Sequence, residues 1–135
     1  MKTSVLFLTS ILLTTIFFST SCNKEDLKPT IQITELGIDN SKKAFIGEDF
    51  HIEAEIMAEK TIDVVTLEIH NEKSSNNTLE IRYNEFAGKK NIEFHKHIKI
   101  PTSFSEGVYH VHLSVIDKKG NETIAKDEIT ITKKP

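Results

Sequence analysis

The side chains best suited to chemistry in this sequence are its six histidines, His51, His70, His95, His97, His110 and His112. Neutral imidazole is a good ligand for zinc, copper, nickel or iron. Four of the six form two His-Xaa-His pairs, His95/His97 and His110/His112. On an extended strand, residues two apart leave the same face, roughly 6.5 Å from each other. Each pair is then half of a metal site if a neighbouring strand supplies more donors. Alternation of apolar and polar residues puts all six on outward faces. Glu53, Glu68 and Glu93 have the parity to orient the rings, as carboxylates behind metal-bound imidazoles do. The competing reading is a solvated sheet surface on which histidines pair with Glu53, Glu55, Glu68 or Glu93.

Other chemistries find little support. No Gly-Xaa-Ser-Xaa-Gly, Gly-rich phosphate loop or His-Glu-Xaa-Xaa-His is present, and the chain reads as a non-enzyme. Asp49, Asp63, Asp117 and Asp127 with Glu48 lie near strand ends, where cadherin-like modules bind calcium, but EF-hand spacing is absent. Asp117 ahead of Gly120-Asn121 reads as turn chemistry. A net charge of −3 and a pI near 6.1, with no basic face, argue against nucleic-acid binding. A single cysteine among 135 residues excludes an internal disulfide framework.

The elements that must carry these side chains are strands. Ile31, Ile33 and Glu35 alternate with Gln32 and Thr34 in a first strand. Residues 38–49 are turn-rich, with Phe45 and Ile46 as a short packing stretch. Phe50, Ile52, Ala54 and Ile56 share one parity, and His51, Glu53 and Glu55 the other, the signature of a half-buried strand. The same rhythm puts Val65, Leu67 and Ile69 inside with Glu68 and His70 outside. It puts Tyr109, Val111, Leu113 and Val115 inside with His110 and His112 outside. Residues 71–77 read as a polar loop, ahead of a weaker strand through Leu79, Ile81 and Tyr83. In the 92–100 strand Lys96 interrupts the inward row, which predicts a bulge or an edge position. In the last strand, 123–132, the parity change between Ile124 and Ile129 predicts a bulge near Lys126. Seven strands or slightly more, each with one apolar face, predict an all-β, two-sheet antiparallel sandwich of immunoglobulin or fibronectin-III type spanning residues 30–132.

Pro29-Thr30-Ile31, Gly47-Glu48-Asp49-Phe50-His51, Leu67-Glu68-Ile69-His70, His95-Lys96-His97-Ile98 and Gly107-Val108-Tyr109-His110 together resemble DUF4625, a family of Bacteroidetes lipoproteins catalogued as a domain of unknown function. The resemblance covers residues 28–132 and implies an immunoglobulin-like domain behind a lipoprotein signal. In that topology the 50–57 strand pairs with the 92–100 strand, and the 62–70 strand with the 107–115 strand. Two three-histidine clusters then form on opposite outer faces, His51/His95/His97 and His70/His110/His112. A plain hairpin between the 92–100 and 107–115 strands would instead gather His95, His97, His110 and His112 on one face.

The start of the chain reads as a targeting segment. Lys2 precedes an apolar run from Val5 to Phe18 that is too short to span a membrane comfortably. Ser19-Thr20-Ser21 leads into Cys22, a pattern that resembles the lipobox of bacterial lipoproteins. Residues 1–21 are expected to be a signal peptide, Cys22 the lipidated residue and residues 22–29 a tether. Lys24, Glu25 and Asp26 resemble a surface-export signal, which implies an outer-membrane anchor facing outward; a periplasm-facing anchor is the alternative.

Two function classes follow. One is a non-enzymatic envelope module that binds an envelope or extracellular protein through a face or an edge. The other is a lipoprotein that binds zinc or copper through its outward histidines.

Overall fold

The computed structural model describes residues 27–135; residues 1–26, and with them Cys22, Lys24, Glu25 and Asp26, lie outside the described residues. Eight strands run in order: β1 (Thr30–Leu36), β2 (Lys43–Phe45), β3 (Asp49–Met57), β4 (Ile62–Asn71), β5 (Ser74–Tyr83), β6 (Asn91–Lys99), β7 (Gly107–Asp117) and β8 (Glu122–Thr132). They form a three-stranded sheet, β1-β3-β6, and a five-stranded sheet, β2-β8-β7-β4-β5. All pairings are antiparallel except that of β2 with β8. The architecture is the expected all-β, two-sheet sandwich of immunoglobulin-like type.

The two-residue rhythm builds the interior. Phe50, Ile52, Ala54 and Ile56 of β3 and Phe94 and Ile98 of β6 form one half of the core. Val65, Leu67 and Ile69 of β4, Tyr109, Val111, Leu113 and Val115 of β7, and Ile129 and Ile131 of β8 form the other. Each large apolar side chain sealed this way contributes about 1.5–3 kcal/mol relative to exposure. The Tyr109 hydroxyl keeps a partner by donating to the Ser105 carbonyl at 2.8 Å. This is the tyrosine corner of immunoglobulin-like sandwiches. Both sheets and the core they close lie within residues 27–135, so this segment holds the contacts it needs to fold alone.

Three features depart from the sequence reading, and a fourth decides between the bulge and the edge position expected at Lys96. First, β1 carries a register shift between Ile33 and Glu35. The extra residue turns Glu35 from the inward parity to the outer face, opposite Glu53, and delivers Leu36 to the core. Second, residues 71–77 are mostly strand. The hairpin turn is confined to Glu72 and Lys73, where the Asn71 side-chain oxygen accepts a hydrogen bond from the Lys73 amide at 2.7 Å. Polar residues extend the sheet because β5 is its edge strand. Third, β8 runs in unbroken register against β7 with no bulge at Lys126, and Ile124 simply faces outward, 45% exposed. Fourth, β6 is an edge strand without a bulge at Lys96. The Lys96 stem reaches over the rim of the core, its Nζ 5.2 Å from the ring centres of Tyr83 and Phe86 and 2.8 Å from the Glu85 carboxylate. A long cationic chain thus covers an aromatic edge that a shorter polar residue would leave open.

The link between β1 and β2 moves the chain from one sheet to the other. Gly37 makes that change of direction with φ +72°, and a Cβ there would stand 2.9 Å from the Lys43 carbonyl oxygen. Ala44 then packs into the core as β2 covers the open edge of β8.

Candidate metal centre

The outer face of the three-stranded sheet gathers the first histidine cluster. Antiparallel register sets His51 of β3 opposite His97 of β6, and Glu53 opposite His95. One ring nitrogen from each of His51, His95 and His97 lies within 4.8 Å of the other two. The His97 Nε2 is central: it stands 3.3 Å from His51 Nδ1 and 3.4 Å from His95 Nε2. Two nitrogens bound to a tetrahedral zinc ion at 2.0–2.1 Å are separated by about 3.3–3.4 Å. Both separations therefore match the edge of a zinc tetrahedron.

The remaining ring nitrogens are held from behind. One oxygen of Glu53, Oε1, lies 3.2 Å from His51 Nε2 and 3.3 Å from His95 Nδ1. Glu35, brought outward by the β1 bulge, adds a second carboxylate at 3.8 Å from His51 Nε2. A carboxylate favours N–H on the nitrogens that face it, which leaves the lone pairs of His51 Nδ1 and His95 Nε2 directed at His97 Nε2. His97 Nε2 meets both, as hydrogen-bond donor when it carries the proton, or as a third ligand nitrogen when its lone pair joins theirs around a cation. Further along the face Glu55 stands directly opposite Glu93, a like-charge pair that also favours a nearby cation. A cleft of about 370 Å³ lies beside the cluster, with His51 and His97 on a wall shared with Ile38, Phe45 and Phe50.

The second cluster, on the outer face of the five-stranded sheet, is assembled differently from the expected His70/His110/His112 set. Register places Glu68 opposite His112 and His70 opposite His110. Here the donor atoms that come within 4.8 Å of one another belong to Glu68, His70 and His112. His110 is drawn away by two carboxylates, with Glu72 3.0 Å from its Nε2 and Glu128 3.4 Å from its Nδ1. His70 Nδ1 is 3.0 Å from Glu68 Oε1, yet it is buried and takes part in no aligned hydrogen bond. Burial pushes His112 below the ordinary histidine value, and the neighbouring His70 and Lys126 push the same way.

Because β6 and β7 belong to different sheets, the hairpin that would unite four histidines does not form. Glu53 stands behind two rings as expected, whereas Glu68 joins the second donor set itself and Glu93 faces Glu55. Glu35 was not legible as part of the site, since only the bulge turns it outward. Four of the five carboxylates weighed for calcium are occupied: Asp63 by Lys118, Asp127 by Lys42, Glu48 by Lys134, and Asp117 by the amides of Lys119 and Asn121 and the Asn121 side chain.

The family model described as a domain of unknown function, DUF4625, matches residues 19–132 of this chain. The chain belongs to the DUF4625 family. No curated protein is similar enough to match it. Among solved structures, OgpA from Akkermansia muciniphila is similar to this DUF4625 domain at 13% identity and a TM-score of 0.57, over 78% of this chain and 29% of OgpA. The superoxide reductase (neelaredoxin) from Ignicoccus hospitalis is similar at 16% identity and a TM-score of 0.48, over 78% of this chain and 81% of that one. A family 123 glycoside hydrolase from Clostridium perfringens is similar at 13% identity and a TM-score of 0.47, over 80% of this chain and 28% of the hydrolase. The domain thus spans less than a third of OgpA's length, and the likeness is one of fold: a β-sandwich module that occurs within larger proteins.

Proposed function

We propose that this DUF4625 protein is a non-enzymatic, lipid-anchored module of the cell envelope that holds a zinc or copper ion on the outer face of its three-stranded sheet. The observation that carries the metal reading is the convergence of His51 Nδ1, His95 Nε2 and His97 Nε2 at 3.3–3.4 Å around His97, with Glu53 behind the other two rings. All three donors are imidazole nitrogens, a set that suits zinc and copper(II) and does not suit magnesium or calcium. Three protein ligands leave a fourth position of a tetrahedron for water or an exchangeable ligand. On a solvated sheet face, an ion held this way can be loaded and released without opening the fold, as capture or buffering requires.

The anchor rests on the sequence, where Ser19-Thr20-Ser21 precedes Cys22, and Lys24-Glu25-Asp26 favours an outward-facing position on the outer membrane. Several acyl chains on one cysteine hold a protein firmly to a bilayer. A module tethered there also meets envelope and extracellular proteins, and its open β6 edge offers them a place to add a strand.

Zinc and copper titration of residues 27–135 tests the metal reading. Submicromolar binding that disappears when His95 and His97 are both changed to Ala is expected. Millimolar binding, or binding indifferent to those histidines, overturns it and leaves protein docking as the function of the face.

A further inference from the structure

We propose that Glu68, His70 and His112 form a second metal-ion site on the outer face of the five-stranded sheet, separate from the His51/His95/His97 centre and able to exist without it. Three observations converge on these residues. Their donor atoms lie within 4.8 Å of one another. The rings of His70 and His112 meet edge to face with centres 4.8 Å apart, so one nitrogen of each can reach a shared point. Most telling is His70 Nδ1, a buried ring nitrogen without an aligned hydrogen bond, 3.0 Å from a carboxylate oxygen.

Buried polar atoms in folded proteins nearly always have a well-aligned partner, and one whose near contact is misaligned, in a cluster of donors, leaves a place that an ion or a water can fill. A nitrogen and an oxygen each about 2.0–2.2 Å from a zinc ion stand about 3–3.5 Å apart, depending on the angle between the bonds. The 3.0 Å between His70 Nδ1 and Glu68 Oε1 falls in that range. A zinc ion bound to both would replace this misaligned contact with two ligand bonds, and His112 would supply the third donor.

The neighbours define the limits of the site. His110 adjoins His70, with ring centres 5.4 Å apart, but both its nitrogens face Glu72 and Glu128, so it stays outside the donor set. Lys126, opposite His112 on β8, opposes a cation there. With two nitrogens, one carboxylate and a nearby ammonium, this site binds zinc more weakly than the three-histidine centre.

The test uses residues 27–135 carrying His95→Ala and His97→Ala, so that a failure of the first site cannot disguise the second. Zinc alone is titrated against a chromophoric competitor, with circular dichroism to confirm the fold of each variant. One zinc equivalent should remain bound at micromolar concentration. Adding His70→Ala or His112→Ala should weaken it by more than the about 10–100-fold that loss of an outer-sphere partner costs. Adding His110→Ala should change it by less than about threefold. No binding below millimolar zinc overturns the site, as does binding that survives loss of His70 and His112 together. If His110→Ala weakens zinc as much as His70→Ala, the proposed donor set is wrong.

Discussion

Replacing Glu53 by Gln separates a metal centre from a surface that is merely rich in histidine. The carboxylate oxygen that lies 3.2 Å from His51 Nε2 and 3.3 Å from His95 Nδ1 is on the side of the rings away from the converging nitrogens. It therefore acts on a bound ion through the imidazoles. Glutamine keeps the shape and removes the charge. A divalent ion about 6 Å from a unit negative charge gains about 1.4 kcal/mol even at water's dielectric constant of about 80, a factor of about ten in affinity. Loss of ring orientation raises the cost, since such outer partners are worth about 10–100-fold. Glu53→Gln should therefore weaken zinc binding by about 10–100-fold. The metal-free domain should change by less than about 0.5 kcal/mol, because partly exposed ion pairs contribute little. A competitive zinc titration beside a urea melt of the metal-free protein reads both quantities. Zinc affinity within about twofold of the unsubstituted domain would refute the assignment of Glu53, and with it the ring orientation from which the centre is argued.

Two other outcomes probe the scaffold and the anchor. Burial of Asp117 works to raise its carboxyl, but hydrogen bonds from the Asn121 side chain and from the Asn121, Lys119 and Gly120 amides outweigh it and hold the group below the usual aspartate value. Its stabilisation is thus full above the ordinary aspartate range and is lost as pH falls through the depressed folded value. Asp117→Ala should cost about 1–3 kcal/mol at neutral pH, a penalty that shrinks in urea melts at acid pH; a pH-independent penalty would contradict the sign. Separately, Cys22→Ala should abolish labelling of the protein by radioactive palmitate and release it from the membrane fraction, whereas unchanged labelling would exclude Cys22 as the lipid attachment point.

Much of this architecture is written in nearest-neighbour alternation. A side chain on a strand can only point to one face or the other, so the rows Phe50-Ile52-Ala54-Ile56 and Tyr109-Val111-Leu113-Val115 determine both the interior and, by exclusion, the outward direction of all six histidines. The resemblance to DUF4625 then supplied the strand pairing that splits the histidines between two sheets. Alternation fails where the chain counts differently. The bulge in β1 inserts one residue and carries Glu35 from the interior parity to the edge of the metal centre, and no local pattern announces it. Lys96 looked like an interruption because its neighbours across the rim, Tyr83 and Phe86, are distant in sequence.

What the sequence by itself determined is the strand rhythm, the sorting of apolar from wet residues, and the presence of imidazole at the wet positions. What only the tertiary structure decided is which imidazoles meet. His51 reaches His95 and His97 because β3 and β6 pair in one register. His110 leaves its expected partners because Glu72 and Glu128 arrive from the β4–β5 turn and from β8. Ligand sets depend on distances of a few ångströms between segments far apart in the chain, and those are fixed by sheet register and by the competition of neighbouring charges, neither of which is a property of any one stretch of sequence.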